Sequence, residues 1–272
     1  MKSNHQKVDK IYHIHTYYCG HATNSVAGVV QYALKNNYAR LVFTEHCPLK
    51  NNSKIRRPHT TQLKALREQI DHYKEKYKGR LHIDFGYECE FPFAQRKRII
   101  ELAEYGICDF FILGVHFFGN MWKQFKYALF DTTEENLDEY FTMMSDACDS
   151  HLFSWIAHPD LWCGSYGKWD QKAIDLTQRI IDLSLKHDIP LGFNANGLAS
   201  KRDDLHYPCK QFWEMVSKTK VKVLIEADSH YAMVHSVRWM NYAHDTAVSY
   251  GLEKNLIDDV NLKYFKKKDL KI

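Results

Sequence analysis

Seven short β-rich apolar runs alternate with longer helical patterns along 272 residues, and this alternation limits the fold more than any other feature. The runs are Lys10–His15, Arg40–His46, Leu81–Glu88, Phe110–His116, Phe153–His158, Pro190–Asn194 and Lys222–Asp228. Helical patterns fall near Ser25–Lys35, Thr60–Tyr77, Phe93–Tyr105, Glu134–Ser150, Gln171–Lys186, Lys210–Ser217 and Met233–Tyr250. Thr60–Tyr77 repeats Leu63, Leu66, Ile70, Tyr73 and Tyr77 at three- and four-residue steps, as one buried helix face requires. Strands alternating with helices specify right-handed βαβ units and a parallel sheet. With seven units, no Pro/Gly/Ser-rich linker and no shift of composition, the expectation is an α/β chain. It should form a single closed or nearly closed barrel domain over residues 1–272.

Charge and cysteine usage narrow the partners. The 37 Lys+Arg against 33 Asp+Glu leave a formal balance of +4, without the clustered basic face that nucleic-acid binding needs. The Lys-rich tail, 263–272, reads as a solvated end. Met1–Lys10 is polar and lacks the apolar core of a secretion signal, and the longest apolar run, Phe110–Val115, is too short to span a membrane. Seven cysteines with no C-x-x-C pair argue against a disulfide framework, so a cytoplasmic location is expected.

The chemistry lies at the strand ends. The first run ends in His13-Ile14-His15, the second in Glu45-His46, the third in Glu88 and the fourth in His116. The fifth ends in His158, the seventh in Asp228-Ser229-His230, and His21 follows the first on its loop. C-terminal strand ends of a parallel barrel converge on one mouth, where active sites form. On a regular strand His13 and His15 point the same way, so both imidazoles can face one ion. A lone strand-end histidine is more often simply hydrogen-bonded, but seven histidines and two carboxylates at successive ends point to metal. Nine donors exceed the needs of one tetrahedral zinc and imply two or three ions, with Glu88 or Asp228 bridging. Such imidazole-rich shells suit Zn, Mn or Fe. Glu45 should face away from the metal as a supporting group, and Cys47 and Cys89 should pack against the strands.

His13-x-His15, His21, Thr44-Glu45-His46, Gly86-Tyr87-Glu88, Gly114-Val115-His116, His158-Pro159-Asp160 and Asp228-Ser229-His230 together resemble the polymerase-and-histidinol-phosphatase (PHP) domain. The resemblance runs from residue 10 to about 265 and is strongest to the stand-alone histidinol-phosphatase (HisK/HisJ-type) branch. Tyr73–Gly79, Leu137–Phe141, Asn194-Ala195-Asn196-Gly197-Leu198 and Tyr207-Pro208 are similar to that branch in particular. The resemblance implies a distorted (β/α)7 TIM-like barrel with three divalent ions. His13, His15, Glu88 and Asp228 would hold the first; Glu88, His116 and His158 the second; His21, His46 and His230 the third. Relatives tend to place an Arg soon after Gly-Leu, where this chain reads Ala199-Ser200-Lys201-Arg202. The phosphate-binding side chain is therefore expected to be Arg202, with Lys201 as the alternative.

The activity so implied is that of a phosphoric monoester hydrolase. It would cleave L-histidinol phosphate to L-histidinol and phosphate in histidine biosynthesis, through a metal-bridging hydroxide. Glu88, Asp228 and Arg202 would be catalytic, Asp228 handling the proton. Arg202, Lys168, Asn194, Phe117 and Phe118 are candidate substrate contacts, the two phenylalanines as stacking surfaces for the imidazole. Solvated loop charges, a structural cap and core packing are the plainer roles for the same side chains. Two other readings stay open: a PHP phosphoesterase for a nucleotide, phosphotyrosine or DNA 3′ end, and a non-catalytic metal-binding protein.

Overall fold

The computed structural model describes residues 6–48, 60–120, 124–199 and 207–265. Seven strands form one parallel sheet: β1 (Lys10–Ile14), β2 (Arg40–His46), β3 (His82–Cys89), β4 (Phe111–Leu113), β7 (Phe153–Ile156), β8 (Leu191–Asn194) and β9 (Val223–Glu226). They lie in that spatial order. The sheet closes on itself because the Ala227 and Ser229 amides donate to the Tyr12 and His13 carbonyls at 2.8 and 2.9 Å. An antiparallel hairpin of β5 (Phe117–Asn120) and β6 (Gln124–Tyr127), absent from the expected elements, is inserted after β4.

The longer helices among the described residues are α1 (Val26–Lys35), α2 (Leu63–Lys76), α3 (Arg96–Glu104), α5 (Leu137–Asp149), α7 (Gln171–His187) and α10 (Val237–Ser249). Shorter ones are α4 (Ala128–Asp131), α6 (Cys163–Tyr166), α8 (Ala195–Ala199) and α9 (Lys210–Val216). Three of the long helices start at side-chain caps: Ser25, Asp170 and Ser236 accept from the Gly28, Ala173 and Trp239 amides. The Ser236 cap is why the last long helix begins at Val237 rather than Met233. Leu63, Leu66 and Ile70 of α2 are buried against the sheet, each worth about 1.5–3 kcal/mol of burial.

Alternation sorts the strand residues between two apolar clusters. Ile11, Leu41, Phe43, Ile83, Phe85, Phe111, Leu113, Phe193 and Ile225 face outward into the layer shared with the helices. Tyr12, Val42, Phe110, Ile112, Trp155 and Leu224 fill the barrel interior. Val260 and Leu262 enter the same interior cluster, so the segment after α10 plugs the N-terminal end. Polar bonds tie the plug down: Tyr12 donates to Asp259 (2.5 Å), Arg40 bridges Asp84 (2.8 Å) and Asp259 (2.6 Å), and Tyr264 donates to Asp84 (2.5 Å). The start of the expected solvated tail is also held to the barrel, since the Lys263 amide donates to Ser154 and the Phe265 ring packs 4.5 Å from Phe111 in the outer layer. Residues 266–272 lie outside the described residues.

Candidate metal centre

Three of the expected ligands sit where the backbone leaves regular strand geometry. His13, His158 and Asp228 have φ of 65°, 33° and 48°, left-handed values that cost energy in non-glycine residues and cluster at functional sites. The β1–β2 register slips between Tyr12 and Ile14. This corrects the argument from alternation for His13 and His15. A bulge at His13 turns it inward directly after the inward Tyr12, and Ile14 then packs outward. The departures at His158 and Asp228 follow the ends of β7 and β9, which stop at Ile156 and Glu226, earlier than the apolar runs suggested.

Glu88 is the hub. One carboxylate oxygen, Oε2, lies 3.3 Å from His13 Nε2, 3.5 Å from His15 Nε2 and 3.0 Å from His46 Nδ1. The other, Oε1, lies 2.7 Å from His158 Nε2 and 3.4 Å from His116 Nε2. Asp228 Oδ1 is 3.3 Å from both His15 Nε2 and His230 Nδ1. The rings of His21, His46 and His230 stand 4.5–5.8 Å apart beside them. Space for Glu88 comes from Gly114, where a Cβ would collide with its Oε1. All nine expected ligands therefore meet at the C-terminal mouth. Their donor atoms form compact groups, among them His13/His15/Glu88, His46/Glu88/His116 and His21/His46/His230.

Carboxylates stand behind the imidazoles. Glu45 accepts from the Thr16 amide (2.7 Å) and hydroxyl, and its Oε2 is 3.8 Å from His15 Nδ1. It faces away from the mouth, as its alternation required. Two supports escaped the sequence reading: Glu226, 3.0 Å from His13 Nδ1, and Glu90, 3.0 Å from His116 Nδ1. The signal was available, because Glu226 is two residues before Asp228 and Glu90 two after Glu88. Such outer carboxylates fix ring orientation in metal sites.

The donor set fits divalent metal. Nε2 of His13, His15 and His230 and Oε2 of Glu88 are buried without a hydrogen-bond partner, which is costly unless a ligand satisfies them. Electrostatics agree. Burial opposes charging His13, yet Glu88, Glu226 and Asp228 hold its pKa well above the ordinary 6.5. For His15, burial is outweighed by the facing Asp228 and Glu45 carboxylates, giving about 9. Burial would raise the Glu88 and Asp228 carboxyls, but the surrounding histidines hold both well below their usual range. The cavity favours positive charge, and bound cations would supply it.

The other candidates are placed unevenly. Asn194 is buried and donates to Asp228 Oδ2 (3.0 Å) and Glu226 Oε1 (3.4 Å), while its own carbonyl accepts from Gly197. Phe117 is half-buried, 6.4 Å from the His116 ring and 4.9 Å from Tyr127. Phe118 is a correction: it is fully buried against Tyr140 and packs in the core rather than facing the mouth. Lys168 is half exposed, its ammonium 3.0 Å from Glu134 and 2.8 Å from Asp170. Arg202 and Lys201 lie outside the described residues.

Fold and site define the class first: a parallel barrel whose C-terminal mouth is lined with groups able to hold several divalent ions. The chain belongs to the PHP domain family, whose model matches residues 12–196. A relative from Deinococcus radiodurans, named a probable histidinol-phosphatase, is 24% identical over 225 residues, covering 80% of this chain and 85% of its own length. A solved structure of a candidate histidinol phosphatase, HisK, from Listeria monocytogenes superposes with a TM-score of 0.68 at 20% identity. The match covers 86% of this chain and 99% of that one. Histidinol phosphate phosphatase from Lactococcus lactis, solved with zinc, L-histidinol and phosphate, also reaches 0.68, at 14% identity over 93% of this chain and 98% of its own.

Proposed function

We propose that this chain is a metal-dependent histidinol-phosphatase, releasing phosphate from L-histidinol phosphate in histidine biosynthesis. The observation that carries the reading is Glu88, whose two oxygens face two separate imidazole groups. The names of its relatives and the ligands of the Lactococcus lactis enzyme support the substrate. Seven free cysteines suit a cytoplasmic location, and among the described residues no helix is long and apolar enough to cross a membrane.

Under this reading His13, His15, Glu88 and Asp228 would hold one ion, Glu88, His116 and His158 a second, and His21, His46 and His230 a third. When bound, divalent ions provide a nucleophile at neutral pH and neutralise phosphoryl charge. The protein's own part is to orient and to move a proton. Asp228 is 9% exposed, against 1% for Glu88 and none for Glu45, Glu90 and Glu226, so it is the carboxylate of the cluster nearest solvent. Amides of Asn194 (3.0 Å) and Asn196 (3.4 Å) hold its Oδ2. Ionised there, Asp228 takes the proton that the attacking water gives up and passes it to the leaving alkoxide. Arg202, with Lys201 as the alternative, is assigned to the phosphate, because an Arg can engage it bidentately as a Lys cannot.

Phosphate release from L-histidinol phosphate, a nucleoside 5′-monophosphate and phosphotyrosine tests the substrate. The expected kcat/KM is highest for L-histidinol phosphate. Equal or greater turnover of either other ester overturns the assignment. Arg202→Ala should raise KM with a smaller change in kcat.

A further inference from the structure

Glu226 is buried in the middle of the barrel, and nothing in the nine-ligand set uses it. It occupies an inward position of β9, two residues before Asp228. Both oxygens are fully engaged. Oε2 faces His13 Nδ1 (3.0 Å) and accepts from Trp155 Nε1 (2.8 Å); Oε1 accepts from the His158 amide (2.9 Å) and from Asn194 Nδ2 (3.4 Å). Gly192 makes the space, since a Cβ there would collide with the Glu226 carboxyl group.

Four groups converge on one carboxylate, and three of them can only donate. We propose that Glu226 is a positioning residue that fixes His13 as the tautomer protonated on Nδ1, thereby presenting Nε2 as a metal donor. The inference rests on the reading that His13, His15, Glu88 and Asp228 hold an ion. An imidazole nitrogen facing a carboxylate oxygen is satisfied only if it carries the hydrogen. The opposite nitrogen of His13 then has a free lone pair, and it is the one 3.3 Å from Glu88 Oε2. Because Glu226 also holds the His158 amide, it couples a ligand of the first ion to the backbone of a ligand of the second.

An amide cannot replace this carboxylate. Gln at 226 has one accepting oxygen and one donating NH2, and on either side the NH2 would meet two groups that now donate. If the NH2 faces His13, the imidazole is driven to accept on Nδ1 and carry its hydrogen on Nε2, where it cannot ligate. If the NH2 faces the His158 amide, that backbone group loses its acceptor. Either arrangement weakens the ions held through Glu88 and leaves His21, His46 and His230 untouched.

The test uses the zinc-loaded full chain. Long-range proton–nitrogen spectra of protein labelled with nitrogen-15 histidine should show His13 protonated on Nδ1 and zinc-bound through Nε2. A hydrogen on Nε2, or zinc on Nδ1, overturns the proposal even if no variant folds. Glu226→Gln, titrated with zinc, should lose affinity by about 10–100-fold at the Glu88-linked positions while the remaining zinc binds as before. Unchanged binding, or an equal loss at every position, overturns it. Neither readout involves substrate. A protein that meets both expectations but leaves L-histidinol phosphate intact would overturn the proposed function and not the role of Glu226.

Discussion

Glu88 and Asp228 were visible in the sequence as the two acids in a series of strand-end histidines, whereas the fully buried Glu226 and Glu90 were not. A ligand announces itself by its position at a strand end. A supporting carboxylate is legible only through its two-residue spacing from a ligand, as Glu226 stands to Asp228 and Glu90 to Glu88, once those ligands are assigned. Gly114 tests the crowding directly. Gly114→Ala would drive a methyl group into Glu88 Oε1, so zinc binding should weaken about 10–100-fold in a zinc titration. Wild-type affinity in that variant would contradict the packing. His235 carries a pH prediction away from the ligands. It is buried, its Nδ1 lies 2.6 Å from Ser229 Oγ, and burial pulls its pKa from 6.5 down to about 4. Between these values the unfolded chain binds a proton that the folded chain does not. Stability is therefore full above pH 6.5 and lost as pH falls toward 4, by about 3 kcal/mol. His235→Gln should escape that loss, read from urea midpoints of metal-free protein across the window; equal losses in both proteins would contradict it.

Barrel elements were legible because each strand is a short apolar run and each long helix carries a periodic face, as in α2. The β5–β6 hairpin was not. Phe117 and Phe118 read as ring-stacking candidates after the fourth run, although the chain leaves the barrel after Leu113 and turns back on itself. The barrel floor was also missed, because Tyr12, Arg40, Asp84, Asp259 and Tyr264 join only through long-range contacts with no local pattern. Asp84 is 1% exposed, so its partner Arg40 offsets a buried charge. Arg40→Met should destabilise the fold by about 3 kcal/mol in urea unfolding, since removing one partner of a buried pair strands the other. A change within about 0.5 kcal/mol would mean that Tyr264 and His82 suffice to hold Asp84.

At the scale of the molecule, the fold divides its labour between two ends. The N-terminal end is sealed by Val260 and Leu262, and the C-terminal end gathers imidazoles and carboxylates from most of the strands. The formal balance of +4 describes neither end. A mouth loaded with divalent ions would be strongly positive and would draw in a phosphate monoester whatever the charge of the whole chain. The family, the barrel and the mouth were all legible from the ordering of ligands along the sequence. Substrate contacts were less so: a side chain such as Phe118 can follow a ligand and still be turned into the core by the pleat. The central claim is that this mouth performs metal-dependent phosphate ester hydrolysis. The most direct measurement is phosphate release from L-histidinol phosphate by the full chain before chelation, after chelation, and with zinc, manganese or iron added back. Turnover should vanish on chelation and return with at least one metal, while His15→Ala and Glu88→Ala should neither turn over substrate nor bind the full complement of metal. Undiminished phosphate release from the chelated protein would contradict the account.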